Sequence, residues 1–125
     1  MALDFVRRYC MSLPHATEHM QWESLVFKIG GKIFAIAPLE PSNAWLTFKC
    51  SPDDFADLTE RPGIIPAPYL ARAKWVALET EDALTTAEIK KYLRQSYDMV
   101  LAKLPRKTQT ALGPNVADRG RRALR

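Results

Sequence analysis

Alternation along two short runs puts aromatic and basic side chains on one face of whatever sheet they build. In Ala44-Trp-Leu-Thr-Phe-Lys-Cys50 the apolar set is Leu46, Phe48 and Cys50, so Trp45, Thr47 and Lys49 share the opposite face. In the run Lys74–Glu79, pointing Val76 and Leu78 inward sends Trp75 and Ala77 out, and Lys28 joins them with Val26. Rings interleaved with lysines on an open sheet can stack bases and hold phosphates. The same rings also suit a second small apolar cluster, a protein partner or a homodimer seam, since exposed apolar patches mark contacts. Arg72 and Lys74 follow a Pro-rich stretch and are placed to meet phosphate, with Tyr69 packed under that loop. The competing role for the stretch is a stiff connector whose prolines reduce unfolded-state entropy. A third set of cations, Arg106, Lys107, Arg119, Arg121 and Arg122, gathers near the C-terminus and can hold phosphate by counterion release or simply keep that end soluble.

Other reactive side chains lack the company that chemistry needs. His15 and His19 are spaced four apart, which suits zinc only on a helix, and Pro14 with the strand-like residues that follow argues against one. Cys10 and Cys50 fit neither a metal-ligand spacing nor a disulfide framework and sit among apolar residues, as small buried thiols do. Ser96-Tyr97-Asp98 falls within a helical pattern, where successive side chains fan apart, so it forms no triad by itself. No nucleophile elbow, Walker loop or dinucleotide fingerprint is present. The expectation is a non-enzymatic module with no metal and no cofactor.

Charge sharpens this. The 125 residues carry a net charge of +4 from 18 basic and 14 acidic side chains. From Arg106 onward there are six basic residues and one acid; removing them leaves 12 basic and 13 acidic for the rest. The body is thus about neutral and the C-terminal end holds the surplus. That argues for weak, salt-dependent and largely sequence-blind binding if the partner is DNA. No apolar run is long enough to span a membrane, and the N-terminus lacks the apolar core of a secretory signal, so a cytoplasmic protein is expected.

The elements that must position these residues are legible in outline. Leu3, Val6, Cys10 and Leu13 recur at helical spacing, predicting a helix over 2–12 that stops at Pro14. The residues 15–20 read as a connector with strand character. Leu25–Ile29 and Lys32–Ala37 flank Gly30-Gly31, the mark of a hairpin with a type I′ turn. The simplest register opposes Ile29 with Lys32, Phe27 with Phe34 and Leu25 with Ile36, all on the core face, leaving Lys28, Val26, Ile33 and Ala35 outside. Glu40–Asn43 is a turn cluster and 44–50 a third strand. Ser51 caps a helix starting at Pro52. The prolines of 61–68 bar a helix or a central strand. After a strand over 74–79, Thr85 and Glu88 form a capping box that opens a long helix to about Lys103. The predicted fold is α+β: a two-layer sandwich, an antiparallel sheet with helices on one face, in the order α-β-β-β-α-β(β)-α. One domain spans 1–107 and a basic tail spans 108–125.

Taken in order, Leu13-Pro-His-Ala-Thr-Glu18, Val26-Phe-Lys-Ile-Gly-Gly-Lys-Ile-Phe-Ala35, Arg61-Pro-Gly-Ile-Ile-Pro66, Tyr69, Trp75, Gln95-Ser-Tyr-Asp98 and Lys103-Leu-Pro-Arg-Lys107 resemble the MmcQ/YjbR-like family. The resemblance covers about 3–107. It implies a sheet-on-helices sandwich similar to secretion chaperones and frataxin-like proteins, and a DNA-binding role by structural analogy. The alternative is a chaperone-like or partner-docking module that uses the open sheet face or an edge strand.

Overall fold

Eleven residues of amphipathic helix, α1 (Ala2–Ser12), bury Val6 and Cys10 and end ahead of Pro14, as the spacing predicts. The computed structural model describes residues 2–39 and 44–112. The turn cluster at 40–43 and most of the basic tail, Arg119, Arg121 and Arg122 included, lie outside the described residues. After α1 come β1 (Thr17–Gln21), β2 (Ser24–Ile29), β3 (Lys32–Pro38), β4 (Leu46–Lys49), α2 (Pro52–Leu58), β5 (Ile64–Pro66), a 3₁₀ turn (Ala71–Ala73), β6 (Trp75–Leu78), α3 (Thr86–Lys103) and α4 (Arg106–Leu112). The strands form one sheet in the order β1-β2-β3-β4-β6-β5, with every neighbouring pair antiparallel. The fold is α+β, and the connector after Pro14 is itself the edge strand β1. The helix α4 runs across the expected domain boundary between 107 and 108, and its Leu112 packs on the core.

The Gly30-Gly31 hairpin forms, with φ of 59° and 83° at the two glycines. Its register holds at Ile29↔Lys32 and Lys28↔Ile33, then shifts by one, so that Phe27 opposes Ala35, Val26 opposes Ile36 and Leu25 opposes Ala37. Phe34 is the extra residue of a β-bulge, which re-aims side chains on the bulged strand. The predicted pairs Phe27–Phe34 and Leu25–Ile36 are therefore corrected. Ala35 and Ala37 enter the core and Ile36 turns to the outer face.

The helices α1, α2 and α3 cover one sheet face, and three phenylalanines, Phe27, Phe34 and Phe48, anchor the core between the layers. Phe34 meets Tyr97 of α3 edge-on at 5.5 Å between centroids, and Phe48 stacks on Tyr92 at 5.9 Å. Both arrangements match the ring quadrupole's preferences. Tyr97 closes its own polar end by donating to the Pro14 carbonyl at 2.6 Å. The capping box opens α3 as predicted: Thr85 Oγ1 accepts from Glu88 N–H and Glu88 accepts from Thr85 N–H.

The outer face is not an open platform of tryptophans. Trp75 does point outward from β6, but it is only 8% exposed, because Ala67 and Ala77 close on it and Ile33, Ile36, Ile65 and Leu70 pack around them. The Pro-rich segment folds back over its own sheet, fixed by Ala67 N–H to the Trp75 carbonyl at 3.0 Å and Trp75 N–H to the Leu70 carbonyl at 3.2 Å. Trp45 precedes β4 rather than lying within it. Its ring packs against the helix-side core and its Nε1–H donates to the Thr80 carbonyl at 2.8 Å. The two tryptophans thus serve opposite layers and cannot act together as a stacking surface.

Candidate nucleic-acid interface

Where β4 ends and the chain enters α2, three separate segments converge on an open groove of about 540 Å³. Lys49 through Pro52 form its floor, Arg72, Ala73 and Lys74 one wall, and Met99, Ala102 and Lys103 of α3 the other. Four of these ten residues are cations and none is an acid. The acids of α2's first turn, Asp53 and Asp54, do not line it. No ion pair of the described residues involves Lys49, Arg72, Lys74 or Lys103.

Local chemistry explains each placement. The end of β4 is held by a buried hydroxyl: Ser96 of α3 accepts from Lys49 N–H at 3.1 Å and donates to the Phe34 carbonyl at 2.6 Å. The β3–β4 ladder pairs Ala35 with Phe48, and the next rung, Phe34 with Lys49, is bridged through this serine. The Lys49 ammonium reaches across to the Ala73 carbonyl at 2.7 Å. Its pKa is lowered, first by partial burial and then by the repulsion of Lys103. Lys74 takes the left-handed conformation, φ 65°, that ends the 3₁₀ turn, and its ammonium sits 5.0 Å from the Phe55 ring centroid. Arg72 and Lys103 are exposed. Lys103 also occupies the last turn of α3, where the helix dipole favours a cation.

The candidates from sequence divide accordingly. Lys49, Arg72 and Lys74 come together in the groove. Lys28 is half-buried on the outer face, opposite Thr17 and Ile33, and does not line it. Trp45 and Trp75 are in apolar packing. Arg106 and Lys107 are exposed on the first turn of α4 and are not groove residues. Sequence reasoning missed Lys103, because which strand end meets the C-terminal turn of α3 is decided only by packing. Tyr69 was expected beneath the loop; instead its ring is fully exposed. His15, with φ 61°, and His19, on β1, share no helix, and among the described residues no three His, Cys, Asp or Glu side chains are grouped to hold a metal. Burial pushes the thiols of Cys10 and Cys50 up to about 12, which suits packing and disfavours a thiolate nucleophile.

The sheet order and the helical layer on one face define a small α+β domain. The YjbR family model matches residues 11–99, and the chain belongs to the YjbR family. The crystal structure of Deinococcus radiodurans protein DR2400, described as a DUF419 domain, is similar at a TM-score of 0.79 and 27% sequence identity, over 89% of this chain and 87% of that one. Comparison with curated proteins returns no match. Among the described residues no helix is long and apolar enough to cross a membrane.

Proposed function

We propose that the chain is a nucleic-acid-binding module without a reaction of its own, and that the groove between β4, the 3₁₀ turn and the end of α3 receives phosphates. The observation that carries this reading is the convergence of Lys49, Arg72, Lys74 and Lys103 around one groove whose lining contains no carboxylate. Phosphate oxygens would displace the water around these cations and release counterions, the main source of sequence-blind affinity. Four cations on a body that is about neutral overall give weak binding with steep salt dependence, and nothing in the lining reads base edges.

Fluorescence anisotropy with a labelled oligonucleotide tests it. Replacing Arg72 and Lys103 by Glu should abolish binding at low salt while the fold, checked by circular dichroism, persists. A second variant with Arg119, Arg121, Arg122 and Arg125 changed to Gln separates the tail from the groove. Binding that survives the groove changes and vanishes with the tail changes would refute the assignment.

One observation favours a second reading, docking of a protein strand. At the free edge of the sheet, Met20 of β1 is 63% exposed and Trp22, in the turn before β2, is 76% exposed. Leu39 lies alongside, its N–H bonded to the Glu23 carbonyl at 3.2 Å. Strand addition to β1 would make a homodimer or a partner complex. Sedimentation of the full chain and of Met20→Lys checks this, since a lysine on an edge strand opposes pairing. A dimer lost in the variant supports it, and a monomer throughout removes the homodimer.

A further inference from the structure

A turn beside the groove spends backbone strain on displaying a ring. Leu70 N–H donates to the Ala67 carbonyl at 3.1 Å, closing a four-residue turn with Pro68 and Tyr69 at its centre. Proline suits the first central position, but the second has φ 66°, the pattern of a type II turn, and that position calls for Gly or Asn. A tyrosine there crowds its own backbone in the left-handed region. Burial does not compensate, for the ring is fully exposed. The mount itself is anchored. Ala67 is buried, Leu70 packs in the outer apolar cluster, and both are hydrogen-bonded to Trp75. Tyr69 and Arg72 of the groove wall are three positions apart, so their Cα atoms lie within about 11 Å. A base adjoining a groove-bound phosphate is within reach of that ring.

Strain held without burial, next to a ligand groove, is the kind of local cost that functional positions carry. Resting on the nucleic-acid reading of the groove, we propose that Tyr69 is a base-stacking residue and that the ligand is a single-stranded nucleic acid. Unpaired bases offer an open π-face to an aromatic ring, whereas duplex bases are already stacked on one another. The groove cations then hold the backbone while Tyr69 holds a base. Stacking of this kind tolerates any base, in keeping with a lining that reads none.

The test uses the full chain, labelled oligothymidylate and a duplex of equal length, titrated at one low salt concentration. The single strand should bind more tightly. Tyr69→Asn should weaken it by about five- to 150-fold, the range that one base–aromatic stack supplies, and leave duplex binding unchanged. Tyr69→Phe should restore native affinity. Because asparagine tolerates positive φ, the Tyr69→Asn variant should melt at or above the native temperature, which separates lost binding from lost structure. Lys103→Gln serves as the groove control. If Lys103→Gln weakens binding and Tyr69→Asn does not, the stacking role is overturned and the groove reading stands. If neither changes binding, the groove reading fails and the stacking role with it. A lower melting temperature in Tyr69→Asn would overturn the strain argument for the displayed ring, and equal losses on single strand and duplex would overturn the single-strand assignment.

Discussion

Replacing Ser96 by alanine removes one oxygen and orphans two backbone groups. The Ser96 hydroxyl is 0% exposed and bridges the Phe34 carbonyl, at 2.6 Å, to the Lys49 N–H, at 3.1 Å. Water has no access to take its place, and Phe34 is the bulge residue whose neighbours have already shifted register. A buried donor or acceptor without a partner costs about 1–3 kcal/mol. Two of them set the expected loss at about 2–4 kcal/mol, since some relaxation is inevitable. For a chain of 125 residues, each kcal/mol lowers the melting temperature by about 3–6 °C, so the fall should be about 6–24 °C. Urea denaturation should show the midpoint drop at unchanged slope. Amide hydrogen exchange should localise the damage, with Lys49 N–H losing protection before its neighbours on β4. A loss below about 1 kcal/mol, or an unchanged Lys49 amide, would refute the reasoning. It would mean that β3 and β4 close into a direct rung once the hydroxyl is gone.

Two further outcomes follow from the geometry. Gly30 and Gly31 both hold positive φ, but a Cβ on Gly30 would fall 2.5 Å from Leu104 Cδ1, whereas one on Gly31 meets open space. Gly31→Ala should therefore cost about 1 kcal/mol by backbone strain alone, and chemical denaturation should show Gly30→Ala costing more, because the buried Leu104 side chain must also shift. Glu88 accepts from Arg61 at 2.8 Å and from Thr85 N–H at 3.0 Å, and these bonds, Arg61's first, lower its carboxyl from the ordinary 4.5 to about 2. Its contribution is complete above the ordinary value and disappears as pH falls from about 4.5 to about 2. Glu88→Gln should destabilise by about 0.5–1 kcal/mol near neutrality, discounted for solvent screening, and match the native protein near pH 2; a gap that persists in acid would contradict the ionic origin.

Local signals carried the elements whose residues announce themselves. Gly30-Gly31 marked a hairpin, Ser51-Pro52 a helix start, and Thr85 with Glu88 a capping box, and each is realised. What escaped depends on partners far along the chain. The bulge at Phe34 is held by Ser96, 62 residues away. The β1–β2 turn uses Trp22 and Glu23 at φ 52° and 59°, positions that turn chemistry would give to Gly or Asn, so no sequence signal marked it. Strict alternation carried Trp75 to the outer face correctly, yet could not foresee that the Pro-rich segment would fold over it. Trp45 failed for another reason: β4 begins one residue later, at Leu46, and alternation holds only within the strand. At the candidate site, Lys49, Arg72 and Lys74 were visible as cations near strand ends, while Lys103 required the packing of α3, and Tyr69 required the turn that exposes it.

Chemical-shift mapping of the amide spectrum during titration with a short single-stranded oligonucleotide locates the ligand on the fold. With the strand in the groove, the largest changes should fall on 49–52, 69–74 and 99–103, diminish together as salt is raised, and leave β1 and its turn silent. Changes confined to 113–125 would assign the contact to the basic tail, and changes centred on 18–23 and Leu39 would assign it to the sheet edge; either result would contradict the groove as the nucleic-acid site.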